Sequence, residues 1–133
     1  MASGNPTTNH LEWFAKAGED ELSTGIILNH GGACSTACFL SQQMAEKYVK
    51  GMAVFRNLSF PKVHDLLELE TLLLKDIPEI QERHEDLQYL NRYYIETRYP
   101  GDYPEIKVSE AREAFAAASR IKDFVLQAVA AQK

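Results

Sequence analysis

Cysteine is scarce in this chain: Cys34 and Cys38 are the only two in 133 residues. Set four apart in a segment that reads as helix, they stack on one face, where disulfide geometry is hard to meet. A disulfide-stapled scaffold is excluded, and reduced thiols in a cytoplasmic setting are expected. No apolar run approaches the roughly 20 residues of a membrane-spanning helix, and the polar start MASGNPTTNH carries no secretory signal. No segment alternates polar and apolar residues with a period of two, so no strands are expected. Basic residues are outnumbered, 14 Lys and Arg against 19 Asp and Glu, for a formal net charge of −5. That balance disfavours non-specific nucleic-acid binding by the chain as a whole, because such binding rests on neutralising phosphates. A local basic pocket remains compatible with it.

The 45% hydrophobic and 25% charged residues are those of one folded domain, long enough to bury a core without staples. Residues 1–10 read as a polar leader and 11–133 as a helical domain. Five helices are expected in an all-α, up-and-down antiparallel bundle. The first runs from about Leu11 to Leu28, with Leu11, Phe14, Leu22 and Ile26 on a face that also carries Gly18 and Gly25. Those glycines would let a neighbour approach closely, and His30-Gly31-Gly32 ends the helix. The second, about Ala33 to Phe55, is apolar nearly all round in its first half, as suits the middle of a bundle. The third covers about Val63 to Ile77. The fourth starts at Pro78, where the missing N–H costs nothing, and stops near Arg98 before Tyr99-Pro100-Gly101. The last follows Ser109, with Ala111, Ala114, Phe115, Ala118, Ile121, Val125 and Val129 as its stripe.

Several polar residues break this pattern. Gln42, Gln43, Glu46 and Lys47 lie within the mostly apolar second helix. They form either a pocket wall or a hydrogen-bonded structural network, since polar groups there need partners. His64-Asp65 follows a proline-containing loop; Asp65 suits a helix cap, and His64 the edge of a ligand site. His30, Cys34 and Cys38 have metal-ligand spacing, but Gly31-Gly32 interrupts the helix and a fourth ligand is missing, so no metal is expected. Tyr93, Tyr94, Tyr99 and Tyr103 could stack bases, though aromatics at a helix end more often pack a core or a dimer seam, and the seam is the reading preferred.

Three stretches together carry a resemblance: Trp13 with Ala17, Asp20 and Leu22; Cys38-Phe39-Leu40-Ser41-Gln42-Gln43-Met44-Ala45-Glu46-Lys47 with Lys50; and His64-Asp65-Leu66 followed by Leu90-Asn91-Arg92-Tyr93-Tyr94-Ile95-Glu96-Thr97-Arg98-Tyr99-Pro100. In this order they resemble the HEPN domain family, in particular its stand-alone prokaryotic, nucleotidyltransferase-associated branch. The resemblance implies a homodimer, a partner that is a minimal nucleotidyltransferase, and binding of a nucleotide or RNA, with no cofactor. It also implies the alternative of a ribonuclease toxin from a toxin–antitoxin pair. Ribonuclease members carry Arg, four residues, His, one residue, Tyr. Counted from Arg92, the histidine position holds Thr97 and the tyrosine position Tyr99. Imidazole exchanges a proton near neutral pH and a threonine hydroxyl does not. A non-catalytic binding protein is therefore expected, with Arg92 and Arg98 on phosphates, Lys47 as a further cation, Tyr99 packed beside them, and Gln43, His64 and Asp65 around the site. His64 or His84 would have to supply the proton-transfer group for the ribonuclease alternative. A pure dimerisation module is the third reading.

Overall fold

The computed structural model describes residues 9–94 and 105–131. Among them are five α-helices, α1 (His10–His30), α2 (Cys34–Phe55), α3 (Leu66–Leu73), α4 (His84–Asn91) and α5 (Val108–Ala131), with a 3-10 segment at Pro78–Arg83 and no strand. No helix among the described residues is long and apolar enough to cross a membrane.

α2 is the axis of the bundle, packed mainly on α1 and α5, while α4 packs on α5 and α3. Thirteen α2 residues are buried, from Ala37 to Ala53. Cys38, Met44, Ala45 and Ala53 are fully enclosed, whereas Cys34, Phe39 and Leu40 are half-buried. The α5 stripe packs as its periodicity predicts, with only Phe115 partly exposed. Asn9 caps α1 by accepting from Leu11 N at 2.8 Å. Gly31, at φ 101°, ends that helix, and its N–H bonds Ile27 O at 2.9 Å. This left-handed backbone strains any side chain. Three linking residues then oblige α2 to run back along α1.

Three expectations need correction. The apolar face read on α1 does not face the core: Leu11, Leu22 and Ile26 are exposed, and α1 buries Ala17 and Thr24 instead, with Phe14 and Ile27 half-buried. The close approach of α1 and α2 is also made elsewhere. Nothing stands within 4 Å of where a Cβ would sit on Gly18 or Gly25, whereas a Cβ on Gly51 would meet the Phe14 ring at 2.5 Å. The third and fourth helices are shorter than expected as well. Val63 to Asp65 lies before the helix, Leu74 to Ile77 turns away, and Pro78 opens 3-10 geometry before α4 begins at His84.

Candidate functional site

The α4 end, the α3 start and the first turn of α5 enclose a cleft of about 580 Å³, lined by Leu67, Gln88, Asn91, Arg92, Tyr93, Ile106 and Glu110. Arg92 is exposed at the α4 C-cap, its guanidinium carbon 4.3 Å from the centre of the Tyr89 ring. This stacking orients the planar fork without using its donors. Arg92 has no carboxylate partner among the described residues. Glu110, the acid of the cleft, accepts from the buried Tyr93 hydroxyl. Burial first, and that hydrogen bond second, push the Tyr93 phenol well above its ordinary range. It stays a neutral donor, so the cleft holds one guanidinium and one carboxylate already engaged by a phenol.

A second polar layer lies behind this cleft. Asn91 donates to Asp65 Oδ1 at 3.0 Å and accepts from Leu66 N at 2.8 Å. Asp65 caps α3, accepting from Leu67 N at 2.9 Å and Glu68 N at 3.1 Å. His64 leads on to α2: its Nδ1 lies 3.0 Å from Glu46 Oε2, and its backbone oxygen accepts from Gln42 Nε2 at 3.0 Å. A carboxylate accepts only, so Nδ1 carries the proton in that contact. The His64 side chain is 51% exposed and its ring packs against Tyr94 at 5.9 Å. Glu46 and Lys50 form a buried pair at 2.8 Å, one helical turn apart. The Lys50 ammonium also sits over Trp13 at 5.7 Å and Phe60 at 5.8 Å. Gln43 closes the network by donating to Gln42 Oε1 at 2.8 Å.

The helix order thus brings Gln43, His64, Asp65 and Arg92 into one continuous polar region. Lys47 stands apart from it. Its ammonium pairs with Asp20 on α1 at 2.7 Å, and it lines a different, mostly apolar hollow of about 320 Å³ with Glu12, Trp13, Ala15 and Lys16. Arg98 and Tyr99, with Thr97 and Tyr103, lie outside the described residues. The expected tyrosine seam loses Tyr93, which is core, while Tyr94 is half-buried on His64. Sequence reading missed Gln88, Tyr89, Asn91 and Glu110 as site residues. Asn91, a polar group beside Arg92 facing another helix, had a usable signal. Glu110 did not, because only the packing of α5 on α4 brings it to Tyr93. His84 is paired with the buried Glu70 at 2.8 Å, and no set of three His, Cys, Asp or Glu among the described residues is placed to hold a metal.

The comparisons agree with this architecture. The HEPN domain family model matches residues 11–128, and the chain belongs to that family. It is similar to the archaeal HEPN homologue ST0689, at 28% identity over 91% of this chain and 98% of that one, with a TM-score of 0.71. It is also similar to the protein TT1696 from Thermus thermophilus, at 30% identity over 89% and 96% of the two chains, with a TM-score of 0.75. No curated protein sequence matches it.

Proposed function

We propose that this is a non-catalytic HEPN protein of the stand-alone, nucleotidyltransferase-associated kind, which binds a nucleotide or nucleic-acid phosphate in the Arg92 cleft. It acts in the cytoplasm as a homodimer beside a minimal nucleotidyltransferase. One observation carries the reading. Arg92 is stacked on Tyr89 with its donors uncommitted among the described residues, at the mouth of a 580 Å³ cleft. A held, unpaired guanidinium is a ready-made phosphate ligand. Arg98 and Tyr99, six and seven residues on, are assigned to the same phosphate region. Lys47 is left out of the cleft, because its ammonium is bound to Asp20.

The ribonuclease reading is favoured by one specific contact, the hold of buried Glu46 on the half-exposed His64 imidazole. A carboxylate that orients an imidazole is the arrangement of a general base. Both readings are tested together. The purified protein is titrated with labelled nucleotides and short RNAs, and cleavage is followed in the same samples. Binding without cleavage, lost in Arg92→Ala, supports the non-catalytic reading. Cleavage by the wild type that both Arg92→Ala and His64→Ala abolish supports the ribonuclease.

A further inference from the structure

The face of α1 that turns away from the core is apolar and exposed. Leu11, Leu22 and Ile26 are 60%, 66% and 52% exposed, and they are three of the six large hydrophobics exposed among the described residues. Between them stand Ala15, also exposed, and Gly18 and Gly25, with open space where a side chain would be. Leu11, Ala15, Gly18, Leu22 and Gly25 recur at alternating steps of four and three residues, the spacing by which one helix lines up along another. Nothing among the described residues covers this line.

We propose that α1 is a homodimer seam, packed antiparallel against α1 of a second copy about a two-fold axis beside Gly18. The order of side-chain sizes selects this occupant. Run backwards against itself, the stripe sets Leu11 opposite Gly25, Ala15 opposite Leu22 and Gly18 opposite Gly18. Every large side chain meets a small one, and the two backbones come closest at the axis. A parallel pairing would set leucine on leucine and leave gaps at both glycines. Ile26, beside Gly25, closes over Leu11 of the other copy.

Charge points the same way. Lys16 borders the stripe, and in the antiparallel pair it comes to the region of Glu19 in the second copy. Its contact with Glu19 of its own chain is 3.8 Å long, with both side chains about 70% exposed (68% and 70%), so little is lost by exchanging it. Glu12 and Glu19 along the borders disfavour an anionic lipid surface as the occupant. An isologous contact of this kind is self-limiting and closes at two copies.

The seam gives the homodimer of the proposed function its interface and rests on that part of the reading, while phosphate binding at Arg92 is independent of it. The test is sedimentation equilibrium of the full chain from about 1 to 100 µM, a range that brackets dissociation constants of micromolar order. The wild type is expected to dimerise. Leu22→Glu is expected to raise the dimer dissociation constant about a hundred-fold or more, since the charge is buried twice in a symmetric contact. Gly18→Leu is the cleaner variant. Its Cβ meets nothing in its own chain, so the melting temperature of the monomer is kept while the close approach is blocked. Leu72→Glu, at a 44% exposed position on α3, should leave the dimer intact. In a Cys34→Ser background, with Cys38 fully buried, Gly18→Cys should cross-link to itself under mild oxidation and Leu72→Cys should not. A wild type that is monomeric throughout the range overturns both the seam and the homodimer. A dimer that survives Leu22→Glu and Gly18→Leu overturns the seam alone.

Discussion

Glu46 and Lys50 sit one turn apart in the most enclosed helix of the protein, with side chains 5% and 6% exposed, and their removal is not symmetric. Among the described residues Glu46 has three donors: Lys50 at 2.8 Å, His64 at 3.0 Å and Gln42 at 3.3 Å. Lys50 has, among the described residues, one anion, Glu46, and otherwise the Trp13 and Phe60 rings. Lys50→Met leaves a carboxylate with two donors and puts a thioether against two aromatic rings, a favourable contact; its cost should be about 1–3 kcal/mol, that of one lost charged hydrogen bond. Glu46→Met strands an ammonium without a counter-ion, and breaking a buried pair in this way costs about 3–5 kcal/mol. The double variant removes both charges and should recover most of that loss, because well-packed apolar replacements of buried ion pairs are often neutral. Urea unfolding followed by circular dichroism gives the three values, provided the slopes agree. A Glu46→Met loss below that of Lys50→Met, or a double variant no better than Glu46→Met, would refute the reasoning.

Tyr48 and Tyr93 should remain un-ionised well above the ordinary phenol value near 10. Burial first and acidic partners second (Glu21 and Glu110) raise both phenols above their ordinary value. A raised folded-state pKa stabilises below the unfolded value near 10 and is lost as pH climbs beyond it. Absorbance at 295 nm should therefore show part of the tyrosine signal appearing only with alkaline unfolding, and a single smooth step before unfolding would contradict this. Asp65→Ala should cost about 1–2 kcal/mol, because it removes the α3 cap and the acceptor of Asn91 together; a loss near zero in thermal melts would mean that the Asp65–Asn91 link does not hold α3 to α4.

How much of this was legible in the sequence differs from residue to residue. The central place of α2 was readable from its apolar first half, although Cys34, Phe39 and Leu40 there are only half-buried and most of the enclosed residues lie between Ser41 and Ala53. The α5 stripe was readable from its periodicity. The role of Asp65 as a cap followed from its place before an apolar run. The inward face of α1 was not readable, because a helix with an apolar stripe on each of two faces gives no sign of which one meets its own core. Ala17 and Thr24 hold the inner positions of α1, and on α2 the missing side chain of Gly51 makes room for Phe14 and Trp13. The polar run on α2 divided in a way that periodicity alone does not fix: Gln42, Glu46 and Lys50 turned inward, while Lys47 turned to Asp20. The Arg92 cleft was half visible. Its cation stood in a recognisable frame, but its far wall, Ile106 and Glu110, comes from another helix start, and only the tertiary fold joins them.

The measurement that bears most directly on the phosphate cleft is nucleotide binding by Arg92→Ala, read beside its melting temperature. Arg92 is exposed and holds up no other described element, so its removal should leave the melting temperature nearly unchanged. A guanidinium on a phosphate contributes about 1.5–3 kcal/mol, so affinity should fall about ten-fold or more. Arg92→Lys should restore only part of it, since lysine keeps the charge and loses the planar fork. A variant that melts several degrees lower and binds nucleotides as the wild type does would make Arg92 a structural residue and contradict the account.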